Sequence, residues 1–142
     1  MLVAYSGRKR STRRLISRVT KAKEKYPAFF QGLADSASEV SRLAAQRLAL
    51  GDMAGLGRLL TYNQAVLSSL GASNSRLDEL VDVLLSVGCL GAKLTGAGGG
   101  GSVIAVPPKG KEKSTISELK RRGFEAFEAN IPVGGVSSWL EP

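Results

Sequence analysis

The chain has 142 residues, 43% of them hydrophobic, which fits one domain with a buried core. It carries a net charge of +8 with one cysteine and no histidine, which excludes an internal disulfide and any catalytic triad that depends on histidine. No apolar run is long enough to span a membrane, the first residues lack the order of a signal peptide, and the lone cysteine suits a reducing compartment, so we expect a cytoplasmic protein.

The first part of the chain predicts a short strand followed by four helices. The strand covers residues Leu2–Tyr5, before a turn at Ser6 and Gly7. Apolar residues at spacings of three and four then predict helices at about 12–26, 32–50, 53–70 and 75–87. The residues expected to face the core are, helix by helix, Leu15, Ile16, Val19, Ala22 and Tyr26; Leu33, Val40, Leu43, Ala44 and Leu48; Leu56, Leu59, Leu60, Asn63, Leu67 and Leu70; and Leu77, Leu80, Val81, Leu84 and Leu85.

Local signals indicate where these helices begin and end. Ser11 or Thr12 is expected to cap the first helix, and Pro27 to end it or to begin the next turn. Ser73 or Ser75 is expected to cap the fourth. A glycine follows each of the other helix ends, namely Gly51, Gly71 and Gly88.

The positive charge is concentrated in the first predicted helix. Between Arg8 and Lys25 there are nine basic residues and one acid, whereas the rest of the chain has eleven of each sign. Such a segment is either a surface for nucleic acid or another anion, or the solvated face of a helix. Both interpretations stay open.

Beyond Gly88 the pattern changes to short β-branched segments. Strands are expected around the glycine-rich stretch, including 103–106, and again at 124–129 and 136–140. A short helix is expected at 114–122, with Ile116 and Leu119 inward. Several helices beside a small antiparallel sheet predict an α+β layer fold.

Residues 91–102 read G-A-K-L-T-G-A-G-G-G-G-S, with five glycines between positions 96 and 101. Glycine backbone reaches positive φ and approaches other groups closely, and successive N–H groups in such a turn can form an anion-binding nest. Lys93, Thr95 and Ser102 add a positive charge and two hydroxyls. The stretch therefore suits a phosphate, or the charge that develops in phosphoryl transfer.

Two common glycine motifs do not fit this stretch. It satisfies G-x-G-x-x-G in letters, but the dinucleotide fingerprint leads into a helix, and here a predicted strand follows. The P-loop ends in Gly-Lys-Ser/Thr, whereas this stretch ends in Gly-Ser-Val. A flexible hairpin connection between two strands is the alternative.

Residues 93–102 resemble the third signature motif of the GHMP kinases, in the form that mevalonate kinases carry. The similarity extends along most of the chain in the family's order. Residues 7–12 (G-R-K-R-S-T) resemble its strand-turn-helix entry, and 62–64 (Y-N-Q) its Asn-Gln helix. The remaining matches are L-G at 70–71, L-D-E-L at 77–80 and G-G-V at 134–136.

The resemblance implies a single GHMP-kinase C-terminal domain over residues 1–142, with a small antiparallel, ferredoxin-like sheet packed with a helical layer. The family's N-terminal half, with its Pro-x-x-x-Gly-Leu-x-Ser-Ser-Ala phosphate loop, its catalytic aspartate and its Mg²⁺-binding acid, has no match here. The implied activity is ATP-dependent phosphorylation of the 5-hydroxyl of mevalonate in isoprenoid biosynthesis. ATP and Mg²⁺ would bind mainly to the N-terminal half, without which the chain is expected to be inactive.

The resemblance also implies roles for particular residues. Lys93 and Ser102 would be catalytic, Lys93 by approaching the transferring phosphoryl group or the carboxylate of the substrate. The substrate site would be lined by Arg10, Asn63, Thr95 and Gly96. The phosphate loop of the other half would be supported by Gly98, Gly99, Gly100 and Gly101. Thr12 is expected to be a helix cap, and no metal ligand is expected.

The implied partners are mevalonate and the N-terminal kinase half, in the same chain or a separate one, and a homo-oligomer stays open. The alternatives are another GHMP kinase, for phosphomevalonate or homoserine, or a non-catalytic module that binds RNA or another polyanion through the basic helix at 8–25. Nucleic acid is not the expected partner, because aromatic residues for base stacking are absent from the basic run except Tyr26 at its end. Asp78, Glu79 and Asp82 are expected to form a solvated helix face.

Overall fold

The computed structural model describes residues 1–8 and 12–130, which form four strands and five helices. The elements are β1 (Leu2–Tyr5), α1 (Thr12–Lys25), α2 (Pro27–Ala49), α3 (Met53–Ser69), α4 (Ser75–Ser86), β2 (Gly91–Leu94), β3 (Ser102–Val106), α5 (Glu112–Arg121) and β4 (Glu125–Glu128). Arg10, the predicted cap Ser11 and the predicted strand at 136–140 lie outside the described residues.

The strands form one antiparallel sheet in the order β2-β3-β1-β4. β1 lies in the middle, with Ala4 opposite Val103 of β3 on one side and Ala126 of β4 on the other. A β-α-β-β-α-β chain with this strand order is the ferredoxin-like arrangement, with four helices in place of the usual first one. The predicted α+β fold is therefore confirmed.

One face of the sheet carries the main core. Ala4, Ala92 and Val103 lie on this face and pack with the leucines of α4 and α5. Leu77, Leu80, Leu84 and Leu119 are completely buried in this cluster. The stripe predicted for the fourth helix is thus the one that holds the helix on the sheet.

α3 lies against the opposite face, over β2 and β3. Its Leu56 and Leu60 pack against Val106, with Ile104 and Met1 at the edge of the cluster. Gly57 of α3 and Gly91 of β2 make the contact between these two elements. They lie so close that a Cβ atom on Gly91 would overlap the carbonyl group of Gly57. This close approach carries α3 along β2 towards the glycine-rich stretch.

α1 and α2 are less covered than their apolar spacing predicts. Leu15 is buried, but Ile16 is 58% exposed, Tyr26 53% and Leu48 55%, so the inward assignment of these three residues is wrong. The spacing identifies an apolar stripe, but α1 and α2 are covered along only part of theirs. Phe30 is the buried residue of α2, a helix that begins at Pro27 rather than at 32 because proline suits the first helical position.

The cap of α4 is Asn74, and neither Ser73 nor Ser75. The Asn74 side chain accepts hydrogen bonds from the N–H groups of Arg76 and Leu77, at 3.1 and 3.0 Å. Its backbone is extended, as an N-cap requires. The neighbouring Ser73 hydroxyl donates instead to Asp78.

Candidate functional site

The glycine loop, residues 95–101, connects β2 to β3 at one end of the sheet. Its five glycines all have positive φ, between 71° and 141°. L-residues other than glycine rarely adopt such values, and five in six positions give the loop a shape that other sequences reach only with strain. The glycines therefore determine the path of the loop.

Hydrogen bonds hold the loop against its neighbours. The Gly99 N–H donates to the carbonyl of Ala72 at 2.8 Å, and the Gly101 N–H donates to that of Arg8 at 3.0 Å. A Cβ atom on Gly98 would overlap the Ala72 carbonyl, which explains a glycine at this position independently of its φ. The loop joins the antiparallel neighbours β2 and β3, as the hairpin alternative also expects, and these hydrogen bonds tie it to the α3–α4 connection and the β1–α1 turn.

Other N–H groups of the loop take no part in these hydrogen bonds. Those of Gly96, Ala97, Gly98 and Gly100 donate to no acceptor among residues 1–8 and 12–130, and of these four residues Gly96 and Ala97 are exposed. Adjacent N–H groups in a glycine turn are the arrangement that receives anions. The loop thus combines N–H groups that fix it with N–H groups available to a ligand.

Lys93 precedes the loop on β2 and brings the positive charge. Its side chain is half-buried, and burial lowers the pKa of its ammonium group. In the part of the chain that the structure describes, no acidic residue lies within salt-bridge distance of it. A partly desolvated cation without a counter-ion is favourable for an anionic ligand.

The hydroxyl residues of the predicted site lie at the two ends of the loop. The Thr95 N–H donates to the Ser102 carbonyl at 2.9 Å, which closes the base of the loop. Ser102 begins β3 and pairs with Tyr5, whereas Lys93 pairs with Ile104 two residues further along β3. Lys93 and Ser102 therefore lie on the same face of the sheet, since side chains alternate along a strand.

Asn63, the other described substrate residue, is half-buried on α3 beside β2. The structure thus brings together Lys93, Thr95 and Ser102 around the loop and places Asn63 on the helix that flanks them. The Asn63 side chain makes no hydrogen bond with residues 1–8 or 12–130. Arg10 cannot be placed, because it falls outside the described ranges.

The resemblance favours a site-facing role for the neighbouring Gln64 as well as for Asn63, with a satisfied polar helix turn as the alternative, but it assigns Gln64 no particular contact. Gln64 is only 6% exposed, and its Oε1 accepts the backbone N–H of Leu94 at 2.8 Å. Its Nε2 faces Ser73 Oγ at 3.2 Å and Asp78 Oδ1 at 3.4 Å. Gln64 is thus a hydrogen-bonded polar residue of α3, and its partners at Leu94, Ser73 and Asp78 are ones that the Asn-Gln motif does not identify.

Asp78 also belongs to this polar cluster and is half-buried, so it is less solvated than the prediction for the three acids implies. Ser73 Oγ donates to Asp78 Oδ1 at 2.5 Å, which turns the carboxylate inward. Glu79 and Asp82 are exposed, as predicted, and Glu79 pairs with Arg76 at 2.7 Å. Sequence spacing could not separate the three acids, because the partners of Asp78 lie on other elements.

The basic helix α1 lies beside the loop at Leu15 and contacts the α3–α4 connection through Arg18. Leu15 would contact a Cβ atom placed on Gly99, at 3.9 Å. The Arg18 guanidinium donates to the carbonyl of Gly71, next to the Ala72 that braces Gly99. Arg13, Lys21, Lys23 and Lys25 are exposed. In contrast to Arg13, Lys21 and Lys23, Arg18 therefore makes a hydrogen bond to another element.

Among residues 1–8 and 12–130, no three acidic or cysteine side chains are grouped so as to hold a metal ion. None of the helices in this part of the chain is both long and apolar enough to cross a bilayer.

Comparison with known proteins places this geometry in a family. Residues 43–128 match the family model described as GHMP kinases C terminal. The mevalonate kinase of Aeropyrum pernix is 34% identical over 95% of this chain and 42% of its own length. That of Pyrococcus abyssi is 36% identical over 96% and 42%. The chain thus spans about two-fifths of the length of these relatives.

Solved structures show the same fold. The crystal structure of L. major mevalonate kinase in complex with R-mevalonate matches with a TM-score of 0.78 and 29% identity, over 85% of this chain and 38% of that one. The Methanococcus jannaschii mevalonate kinase matches with a TM-score of 0.67 and 33% identity, over 89% and 37%.

Proposed function

This chain belongs to the GHMP kinase family, and we propose that it is the C-terminal, substrate-side domain of a mevalonate kinase, which transfers the γ-phosphate of ATP to the 5-hydroxyl of mevalonate. The observation that carries the proposal is the hydrogen-bonded glycine loop beside a half-buried Lys93 that has no acidic partner among residues 1–8 and 12–130. The similarity to mevalonate kinases along nearly the whole chain supports the choice of substrate.

The residues of this chain act by positioning and by electrostatics, which supply most of the catalysis in phosphoryl transfer. The N–H groups of the exposed Gly96 and Ala97 would receive developing negative charge without reorganising, because the N–H groups of Thr95, Gly99 and Gly101 already hold the loop by hydrogen bonds. Lys93 adds a full positive charge at the start of the loop. Ser102 and Thr95 offer hydroxyls, and Asn63 an amide, for the polar groups of the substrate.

Mg²⁺ and most of the ATP belong, in this proposal, to an N-terminal kinase half that packs on the site, as part of the same chain or as a separate one. Bound Mg²⁺ would neutralise charge on the phosphates. This chain would supply the mevalonate side of the cleft and the glycine loop against the phosphates. Arg10 would contribute at the mevalonate end.

The test is a substrate panel with ATP and Mg²⁺. The 142-residue chain is assayed alone and with the N-terminal half of a relative such as the Pyrococcus abyssi enzyme, against mevalonate, phosphomevalonate and homoserine. We expect the combination to phosphorylate mevalonate, and the chain alone to be inactive because it holds one side of the cleft. A preference for phosphomevalonate or homoserine would assign the chain to another GHMP kinase.

A further inference from the structure

We propose that Gln64 is a positioning residue of the site: through its hydrogen bond to the Leu94 N–H it holds Lys93 and Thr95 in place before any ligand binds. This inference rests on the proposed function for its consequence in catalysis. The contact itself is a property of the fold.

The packing of α3 on β2 explains why Gln64 reaches Leu94. Gly57 and Gly91 touch at the start of the contact. From there Gln64 is seven residues further along α3 and Leu94 three residues further along β2, and both steps advance about 10 Å. The helix and the strand therefore stay in register, and the glutamine arrives beside the last residue of the strand.

The polar cluster behind Gln64 determines which way its amide points. Asp78 Oδ1 and Ser73 Oγ lie on the Nε2 side, at 3.4 and 3.2 Å. A carboxylate only accepts hydrogen bonds, so it selects the NH₂ group of the amide and leaves Oε1 for the Leu94 N–H. The cluster thus joins α3, the α3–α4 connection and α4 to the strand that leads into the glycine loop.

Three constraints then act on one short segment of backbone. The Leu94 side chain is 1% exposed in the main core. Its N–H is held by Gln64 at 2.8 Å, and the Thr95 N–H by the Ser102 carbonyl at 2.9 Å. With Leu94 fixed in this way, the side chains of Lys93 and Thr95 leave the backbone in fixed directions. Such preorganisation is what an electrostatic site requires.

The first experiment measures the contact in the 142-residue chain. Gln64→Met keeps the length of the side chain and removes its polar atoms, and Gln46→Met, at an exposed position of α2, is the matched control. We expect amide hydrogen exchange at Leu94 to accelerate roughly ten- to a hundredfold in Gln64→Met, as for a lost buried hydrogen bond, and to be unchanged in the control. Unchanged exchange at Leu94 in Gln64→Met overturns the proposal.

A second variant covers the case in which Gln64→Met does not fold. Ser73→Ala removes one partner of Nε2 and one of the donors to Asp78, and leaves Gln64 itself intact. We expect a smaller acceleration at the same Leu94 amide. An effect confined to α4, with none at Leu94, contradicts the proposed network.

The catalytic consequence is measured in the assembled enzyme, with both halves. We expect Gln64→Met to lower kcat for mevalonate roughly ten- to a hundredfold by misplacing Lys93 and Thr95, with the KM for ATP unchanged. If exchange accelerates but kcat does not change, Gln64 has a structural role alone and the positioning proposal is wrong. If the unmodified assembly does not phosphorylate mevalonate, the proposed function fails while the exchange result at Leu94 stands.

A conservative variant adds a readout of its own in the same assembly. Gln64→Glu retains the acceptor for Leu94, and its protonated carboxyl can still donate to Asp78, whereas its ionised form repels it. Its kcat relative to the unmodified assembly should therefore be higher at low pH than at high pH. A ratio that does not vary with pH contradicts the assigned role of Asp78.

Discussion

Gly57 of α3 and Gly91 of β2 lie backbone against backbone, so close that a Cβ atom on Gly91 would overlap the carbonyl oxygen and carbon of Gly57. Both partners at this point are main chain, which cannot move aside as a flexible side chain can. The contact sets the distance between helix and strand, and with it the reach of Gln64 to Leu94.

Gly91→Ala should destabilise the chain by about 3 kcal/mol, at the upper end of the usual cost of overpacking, because the whole of α3 must shift. Chemical denaturation gives the free energy of unfolding. The matched control is Gly32→Ala, in the exposed part of α2, where nothing lies within 4 Å of the added methyl group. The control should stabilise by up to about 1 kcal/mol, because alanine is the better helix former. Equal effects of the two substitutions would contradict the close contact.

Lys93→Met should weaken anion binding without weakening the fold. Burial lowers the pKa of this ammonium group, so the unfolded chain retains the proton to a higher pH than the folded chain does. The free energy of unfolding should therefore rise with pH between the folded and the unfolded pKa, and this pH dependence should disappear in the methionine variant. Denaturation curves at several alkaline pH values measure it.

In the assembled enzyme the same substitution should reduce kcat/KM for mevalonate. The loss of transition-state stabilisation should be about 2–4 kcal/mol, by analogy with a lost oxyanion donor. Lys109→Met, in the exposed loop after β3, is the control and should have no effect. A variant that keeps full turnover would remove Lys93 from the catalytic site.

Arg18 should behave differently from the other basic residues of α1. Arg18→Gln removes the donor to the Gly71 carbonyl and should accelerate exchange of the Gly99 amide, whereas Arg13→Gln and Lys21→Gln should not. All three should leave the KM for ATP unchanged.

The same variants test the polyanion alternative. If α1 binds RNA, affinity for a single-stranded oligonucleotide should fall steeply with salt, and each of the three substitutions should reduce the slope by about one. Tight binding of that kind, together with an inactive assembly, would favour the non-catalytic module.

The sheet face that carries Phe127 of β4 and Val3 of β1 is partly exposed, and it should make the isolated chain self-associate. Phe127 is 60% exposed and pairs with the half-buried Val3 of β1. Phe127→Ser should therefore lower the association measured by sedimentation, and adding the N-terminal half should lower it further. Leu50→Ser, at the exposed turn between α2 and α3, serves as the control. A monomeric unmodified chain at high concentration would contradict this expectation.

Local patterns in the sequence determined most of the elements and the position of the loop. Apolar residues at helical spacing gave α3 and α4 within one or two residues, because the buried positions of both helices repeat at that spacing. The run of glycines identified the loop, since only glycine serves a backbone with five positive φ values in six residues. The order of motifs along the chain indicated the family.

Only the tertiary structure decided which stripes are covered, which polar residue caps α4 and what Gln64 does. Leu15 and Ile16 both fit the apolar spacing predicted for the first helix. Leu15 is buried because it packs in the main core, whereas Ile16 is exposed. Gln64 and Leu94 are thirty residues apart. No local pattern predicts that a glutamine in one helix will meet a strand N–H at that separation, because their distance depends on the glycine contact that brings the helix onto the sheet.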